Sequence, residues 1–267
     1  MAEACHKYDT IGVDCVAMNV NDVICLGAEP LALVDYLALQ EPRPKIVTEI
    51  MRGLQRGAKE ANAAIVSGET AIMPDVVKGF DLAAMVIGLV RKDRMITGEQ
   101  VQPGDVIIGL RSSGIHSNGL TLARKVLLTN RFDTQVLHEL LRPTRIYVNP
   151  ILRLLGSKVR VHGLAHITGG AYSKLRRIGQ RSGVGFVLDR LPKPQPIFTQ
   201  IQSKGEISDR EMYRTFNMGI GFLVICPMHA TKRLKSLLPG AIEVGHATSS
   251  HSVVISRFGK QIEVESW

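Results

Sequence analysis

Cysteine is scarce and poorly placed for anything but a free thiol. Cys5, Cys15, Cys25 and Cys226 form no CxxC pair and stand at no metal-type spacing from histidine. This gives no zinc ribbon and no disulfide framework, and it predicts reduced, mostly buried thiols in a cytoplasmic chain. Aromatic residues make up only 5% of the sequence, too few to interleave with basic side chains as a nucleic-acid surface requires. A GxxxxGK[ST] loop is missing, which excludes a P-loop enzyme. No uninterrupted apolar stretch approaches a membrane span, and the opening MAEACHKYDT is polar where a signal peptide carries an apolar core. The expectation is a soluble protein with neither membrane nor nucleic acid as partner.

What the chain does have is enough apolar material for a large core. At 267 residues and 45% hydrophobic content it suits one or two domains. Lysine and arginine outnumber aspartate and glutamate by 33 to 24, a net charge of +9 that suits phosphorylated small molecules. Val16, Ala17, Val20, Val23 and Ile24 stand at helical spacing between Asp14 and Leu26, and Gly27 follows where a helix stops. Leu31 to Leu39 reads as a buried strand, Glu41 to Pro44 as a turn and Val47 to Ala61 as a helix. Ala63 to Val66 reads as a second buried strand that ends in Ser67-Gly68-Glu69-Thr70, with a further strand over Asp81 to Val90. Thr97 to Asp105 is turn-rich and predicts a boundary between two α/β domains of similar size, 1–98 and 104–258. Beyond it the pattern restarts: a strand over Val106 to Leu110, a polar loop over Ser112 to Gly119, and a helix over Leu120 to Leu128. A strand over Val161 to Ile167 then leads to a tight turn at Gly169-Gly170 and a short helix over Tyr172 to Ile178. Leu191 to Pro196 reads as an extended loop, and Phe222 to Cys226 and Val253 to Ile255 as late strands.

Several of these segments carry groups suited to phosphate chemistry. Asp14 and Asn21 lie within about 20° of each other on one helix face, with Asp22 beside them. On this helix alone, a cap at Asp14 and a wet edge at Asn21-Asp22 are the simpler account. Glu69, following a strand through a glycine, adds a carboxylate at a position where α/β proteins contact ligands, and such carboxylates suit Mg2+ with bound phosphates. Ser112-Ser113-Gly114-Ile115-His116-Ser117-Asn118-Gly119, between a strand and a helix, has the hydroxyls and backbone N–H groups of an anion site, or simply of a cap. His116 is either a donor to a developing oxyanion or a surface histidine. His166-Ile167-Thr168-Gly169-Gly170 repeats the arrangement, so two phosphate-bearing ligands are expected. Arg214 and Asn217 precede a strand that reads as an edge strand with a glycine bulge.

Taken together the blocks YDTIGVDCVAMNVNDVICLGAEPL, SGETAIMP, SSGIHSNG, RPTRIYV, GLAHITGG and EMYRTFNMGIG resemble, in the same order, the phosphoribosylformylglycinamidine cyclo-ligase (AIR synthetase) family. The resemblance spans Tyr8 to about Ile255. It implies an α/β (α+β) two-domain ATP-binding fold with mixed and antiparallel sheets. It also implies a homodimer built through strands of the first domains, with nucleotide and ribonucleotide substrate between domains. By position it implies ATP contacts from Asp14, Asn21, Asp22, Gly68, Glu69 and Thr70, with Mg2+ on Asp14, Asp22 and Glu69. Ser113, Gly114, His116, Ser117, Asn118, Gly119, Thr168, Gly169 and Gly170 would meet the substrate, and Asp22 and His116 would carry catalysis. The implied reaction uses ATP to phosphorylate the formamide oxygen of formylglycinamidine ribonucleotide, then closes the imidazole ring with loss of phosphate, in purine biosynthesis.

Two departures stand out. The family carries a glycine-rich segment and an Asp-Gly-Val-Gly-Thr-Lys strand before the position of Tyr8, where this sequence has seven residues. Either the chain is a fragment or misjudged start of a longer protein, or it is a shortened form whose ATP site is incomplete, and in both cases an exposed sheet edge in the first domain is expected. Ala171-Tyr172-Ser173-Lys174 stands where many members have a third glycine and an acidic or amide pair. The competing readings are a related kinase or synthetase, such as thiamine-phosphate kinase or selenophosphate synthetase, and an inactive subunit that pairs with a longer partner. PTRIYV and MYRTFN argue against the kinase.

Overall fold

A computed structural model describes residues 1–128, 133–257 and 259–264. The chain opens with helix α1 (Asp9–Ile24), strand β1 (Glu29–Leu39), helix α2 (Pro44–Glu60) and strands β2 (Ala64–Ile72) and β3 (Phe80–Leu89). These strands form a sheet in the order β2-β1-β3, with β1 parallel to β2 and antiparallel to β3. Val13, Val16 and Val20 of α1 and Ile50 and Leu54 of α2 bury against Leu33, Leu37 and Leu39 of β1. The two helices touch backbone to backbone. A Cβ on Gly12 would stand 2.3 Å from the Ile50 carbonyl oxygen, and one on Gly53 2.0 Å from that of Asp9.

Among the described residues nothing covers the other face of this sheet, and its edges β2 and β3 have no outer partner. Three expectations are corrected here. Ala63 to Val66 is not a buried strand, since Ala64, Ile65 and Val66 of β2 are exposed, and Leu31 to Leu39 is buried on one face only. Nor does β2 end at Ser67. β1 offers ladder partners as far as Leu39, so pairing continues through Asp35 with Gly68 and Tyr36 with Glu69 to Ile72. Apolar content marked the strands correctly but could not say which face the chain itself would cover.

The rest of the chain contributes β4 (Val106–Arg111), α3 (Leu120–Leu127), α4 (Thr134–Leu140), α5 (Val148–Gly156), β5 (Gly163–His166), α6 (Lys174–Ser182) and β6 (Gly185–Leu188). It continues with α7 (Pro196–Lys204), α8 (Asp209–Thr215), β7 (Ile220–Cys226), α9 (Thr231–Leu237), β8 (Ile242–Thr248), β9 (Val253–Arg257) and β10 (Lys260–Glu263). Seven strands form one sheet in the order β10-β9-β6-β8-β4-β7-β5, antiparallel except between β6 and β9. The two halves are therefore not of similar size: three described strands face seven. β7 is not an edge strand either. It lies between β4 and β5, with Leu223 and Ile225 in one core cluster and Phe222 and Val224 in another. Being buried on both faces, it reads as a continuous apolar run. The bulge expected at its glycines is a register shift at Leu110/Arg111 of β4, opposite the start of β7. Pro196 opens α7 at its first turn, where its missing N–H costs nothing, instead of closing an extended loop. The turn-rich segment 97–105 carries no helix or strand, and residue 258, the expected end of the second domain, lies outside the described residues.

Candidate active site

The polar edge of α1 is a clamp. Asp14 Oδ1 accepts hydrogen bonds from the Thr144 N–H at 2.8 Å and the Thr144 hydroxyl at 2.6 Å. Burial raises the Asp14 pKa, and the Thr144 bonds oppose that shift. One turn-pair further on, Asn21 is fully buried. Its Nδ2 donates to the Arg145 carbonyl at 2.9 Å, and its Oδ1 accepts from the Tyr147 N–H at 2.8 Å. The residues of RPTRIYV are thereby tied to the first helix. The same segment holds the SSGIHSNG loop, because Ser113 Oγ donates to the Pro143 carbonyl at 2.5 Å and Ser117 Oγ lies 3.1 Å from Thr144 Oγ1.

Asp22 extends from this clamp into open space. His166, at the end of β5, is buried, with Nδ1 at 2.9 Å from Asp22 Oδ1 and Nε2 at 3.4 Å from Asn21 Nδ2. Burial lowers the His166 pKa below 6.5 despite the opposing pull of Asp22, so the ring is neutral near pH 7. With Asn21 offering a donor on one side, the proton belongs on Nδ1, donated to Asp22. Burial would raise the Asp22 carboxyl, but the His166 hydrogen bond and the Lys174 charge outweigh it and hold its pKa below 3.8. The Asp22 side chain is 55% exposed, and Lys174 Nζ lies 3.8 Å from its Oδ1 while also donating to Thr168 Oγ1. Asp22, His166 and Lys174 line a cavity of 280 Å3 together with Cys25, Thr97 and Arg177.

His116 is not a surface histidine. It is 2% exposed, sits at a left-handed φ of 63°, and accepts at Nε2 from the Ser113 N–H at 3.1 Å and the Arg145 N–H at 3.5 Å. Its Nδ1 is buried without a partner. Burial, with smaller contributions from His166 and Arg145, depresses its pKa to about 3. A strained residue with an unsatisfied donor belongs to the kind of backbone found at functional sites. Its place is kept by Gly221, where a Cβ would stand 2.6 Å from His116 Cε1 and 2.1 Å from Tyr147 Oη. Asn217 holds the loop from below, donating from Nδ2 to the Gly114 and Ile115 carbonyls at 3.0 and 2.9 Å. These supports within EMYRTFNMGIG were missed as functional, although an asparagine two residues before a GxG run was the available signal.

The His116 ring gives the fold a definite pH dependence. In the unfolded chain it takes up a proton near pH 6.5, whereas in the native state it resists until about pH 3. Its contribution is thus complete above pH 6.5 and is lost as the pH falls toward 3, at up to about 1.4 kcal/mol per pH unit. Urea unfolding at pH 7.5 and 5.0 should show this loss, with a shallower dependence in His116→Gln. An equal dependence in that variant would contradict the assignment.

The two expected loops do converge. Ser117, Asn118, Gly119, Gly169 and Gly170 line one cavity of 520 Å3, and Asn118 Nδ2 is buried there without a partner. Thr168 lies beside them through its bond with Lys174. Gly68, Glu69 and Thr70 sit apart on β2. The pairing of Glu69 with Tyr36 places it on the exposed face of the first sheet, opposite the helices, while Gly68 faces the Asp35 carboxylate. Asp14, Asp22 and Glu69 form no common cluster, and among the described residues no three His, Cys, Asp or Glu side chains are grouped to hold a metal ion. No helix of the described residues is long and apolar enough to cross a membrane.

Two halves, each with a mixed sheet, joined by a polar clamp and lined with glycine loops, define the AIR synthase related class. Residues 1–90 match the model for the AIR synthase related protein N-terminal domain and residues 102–257 that for its C-terminal domain. The chain belongs to this family, and within it to the phosphoribosylformylglycinamidine cyclo-ligases. The cyclo-ligase of Methanocaldococcus jannaschii is 54% identical over 235 residues, covering 84% of this chain and 67% of that protein. That of Pyrococcus furiosus is 50% identical over 268 residues, covering 97% and 78%. The fold is shared with the hydrogenase maturation protein HypE, at a TM-score of 0.79 and 22% identity over 96% of this chain and 83% of the other. It is shared also with a thiamine monophosphate kinase of Aquifex aeolicus, at a TM-score of 0.70 and 18% identity over 96% and 83%.

Proposed function

We propose that the chain is an ATP-dependent cyclo-ligase that converts formylglycinamidine ribonucleotide to aminoimidazole ribonucleotide. The observation that carries this reading is Asp22, a half-exposed carboxylate kept ionised by a buried neutral His166 and facing a cavity between the two halves. ATP transfers its γ-phosphoryl group to the formamide oxygen and leaves as ADP. The amidine nitrogen then attacks that carbon, and the C–O bond breaks as inorganic phosphate departs and the ring closes. Such chemistry depends on positioning and on excluding water more than on a protein nucleophile. Asp22 orients the amidine with its ionised carboxylate while the departing phosphate takes the amidine proton, and the buried His116 holds the substrate-side loop in place through the Ser113 N–H. Mg2+ arriving with the nucleotide needs only one or two protein carboxylates, and Asp22 is the one of the expected three that faces the cavity. There it would neutralise phosphate charge.

The functional unit in this reading is a homodimer joined through the uncovered face of the first sheet. Glu69 lies on that face, so its contact with nucleotide belongs at the junction between two copies. Coupled ADP release with ATP, Mg2+ and formylglycinamidine ribonucleotide tests the activity. ADP should form only when both substrates are present, and turnover of thiamine monophosphate in its place would replace this reading with the kinase.

A further inference from the structure

We propose that Lys174, Arg176 and Arg177 form, with the Gly169-Gly170 turn, a binding site for a phosphate monoester, the 5′-phosphate end of a ribonucleotide. The choice of a ribonucleotide rests on the cyclo-ligase reading; the phosphate chemistry does not. A cavity of 410 Å3 is lined by Gly169, Gly170, Ser173, Lys174, Arg176 and Arg177, with Gln180 at its margin and no carboxylate in its wall. Three cations on one turn of a helix repel one another, Lys174 and Arg177 being three residues apart on the same face. Asp22, 3.8 Å from Lys174, offsets part of this repulsion, but the first turn of α6 contains no acidic residue and Arg177 makes no ion pair among the described residues. A phosphate dianion relieves that repulsion. Backbone geometry points the same way. The N–H groups of Gly169 and Gly170 donate to no protein acceptor among the described residues, and Gly170 has a φ of 79°. Two unpaired N–H groups beside three cations make a concave anion site.

Position links this site to the reaction. Lys174 and Arg177 line both the phosphate cavity and the 280 Å3 cavity that contains Asp22 and His166. A phosphate held on the α6 side therefore leaves the remainder of a ribonucleotide extending toward Asp22. Lys174, bonded to Thr168 and 3.8 Å from Asp22, stands at the passage between them.

The test is calorimetric titration of the whole chain, without ATP, with ribose 5-phosphate, inorganic phosphate and ribose. Ribose 5-phosphate and phosphate should bind, ribose should not, and Lys174→Met and Arg177→Met should each weaken binding by about tenfold or more. Lys235→Met, on the distant helix α9, should bind as the parent does. Arg177 is exposed, so its variant keeps the fold even if the Lys174 variant does not. Equal binding of ribose and ribose 5-phosphate, or unchanged affinity in Arg177→Met, would overturn the site. Since no ring closure is read, loss of the cyclo-ligase reading leaves this result standing, and the reverse also holds.

Discussion

Asp22→Asn should lower the rate of ATP-dependent ring closure by roughly 10²- to 10⁴-fold, the range expected when a positioned acid–base or charge-stabilising group is removed. Asparagine fills the same volume, and its Oδ1 still accepts from His166 Nδ1, so only the charge and its basicity are lost. The structural cost is small. Asp22 is 55% exposed, and an ion pair this open to solvent contributes only about 0–1 kcal/mol. Thermal unfolding should therefore change by a few degrees at most while coupled ADP release collapses. The pH–rate profile adds a second check. The Asp22 carboxyl is held below 3.8, the His166 ring below 6.5 and the His116 ring near 3. Neither Asp22 nor His116 is expected to place an acid limb near neutrality. Activity of Asp22→Asn within threefold of the parent would sink the assignment of Asp22 to the chemistry.

The parts of this site that could be read in the sequence are those built from local pattern. The amphipathic spacing of Val16, Val20 and Ile24 placed α1, and α1 in turn placed Asp14, Asn21 and Asp22 along one edge. The glycine and serine content of the two loops marked them as polar turns beside strands, and they do share a cavity through Asn118, Gly169 and Gly170. What was not legible depends on partners distant in the chain. Asp14 looked like a metal ligand or a cap, yet its hydrogen bonds go to Thr144, 130 residues away. Nothing near His116 in the sequence announces Gly221, and the packing contact between them needs the β7 ladder to exist first. Lys174 illustrates the same limit: it was noticed only as a departure from a pattern, while its meaning comes from Asp22 and Thr168 on other elements. Apolar content overstates burial where a strand has one face uncovered. A run of valine and isoleucine reports that something covers a face, and in β2 that cover is not among the described residues of this chain.

That uncovered face carries the other large expected effect. β3 alternates, with Phe80, Leu82, Ala84 and Val86 toward the helices and Met85, Ile87 and Leu89 outward at 57%, 59% and 68% exposure. Leu31 and Val66, at 46% and 62%, add exposed apolar surface on β1 and β2. Exposed apolar side chains on a sheet with unpaired edges favour association, and full burial of each contributes about 1.5–3 kcal/mol. Light scattering after size exclusion should give twice the chain mass of 29.3 kDa for the parent. Met85→Glu combined with Ile87→Lys places charges where two copies would meet, and it should leave a 29.3 kDa species. Met228→Lys is the matched control, because Met228 is 72% exposed but lies on the second half, away from this face. Because Glu69 lies on the face these substitutions disrupt, the monomer should also lose ATP affinity. A dimer that survives both charges would move the contact elsewhere on the molecule, and a parent that runs as a monomer would leave Glu69 with no route to the nucleotide.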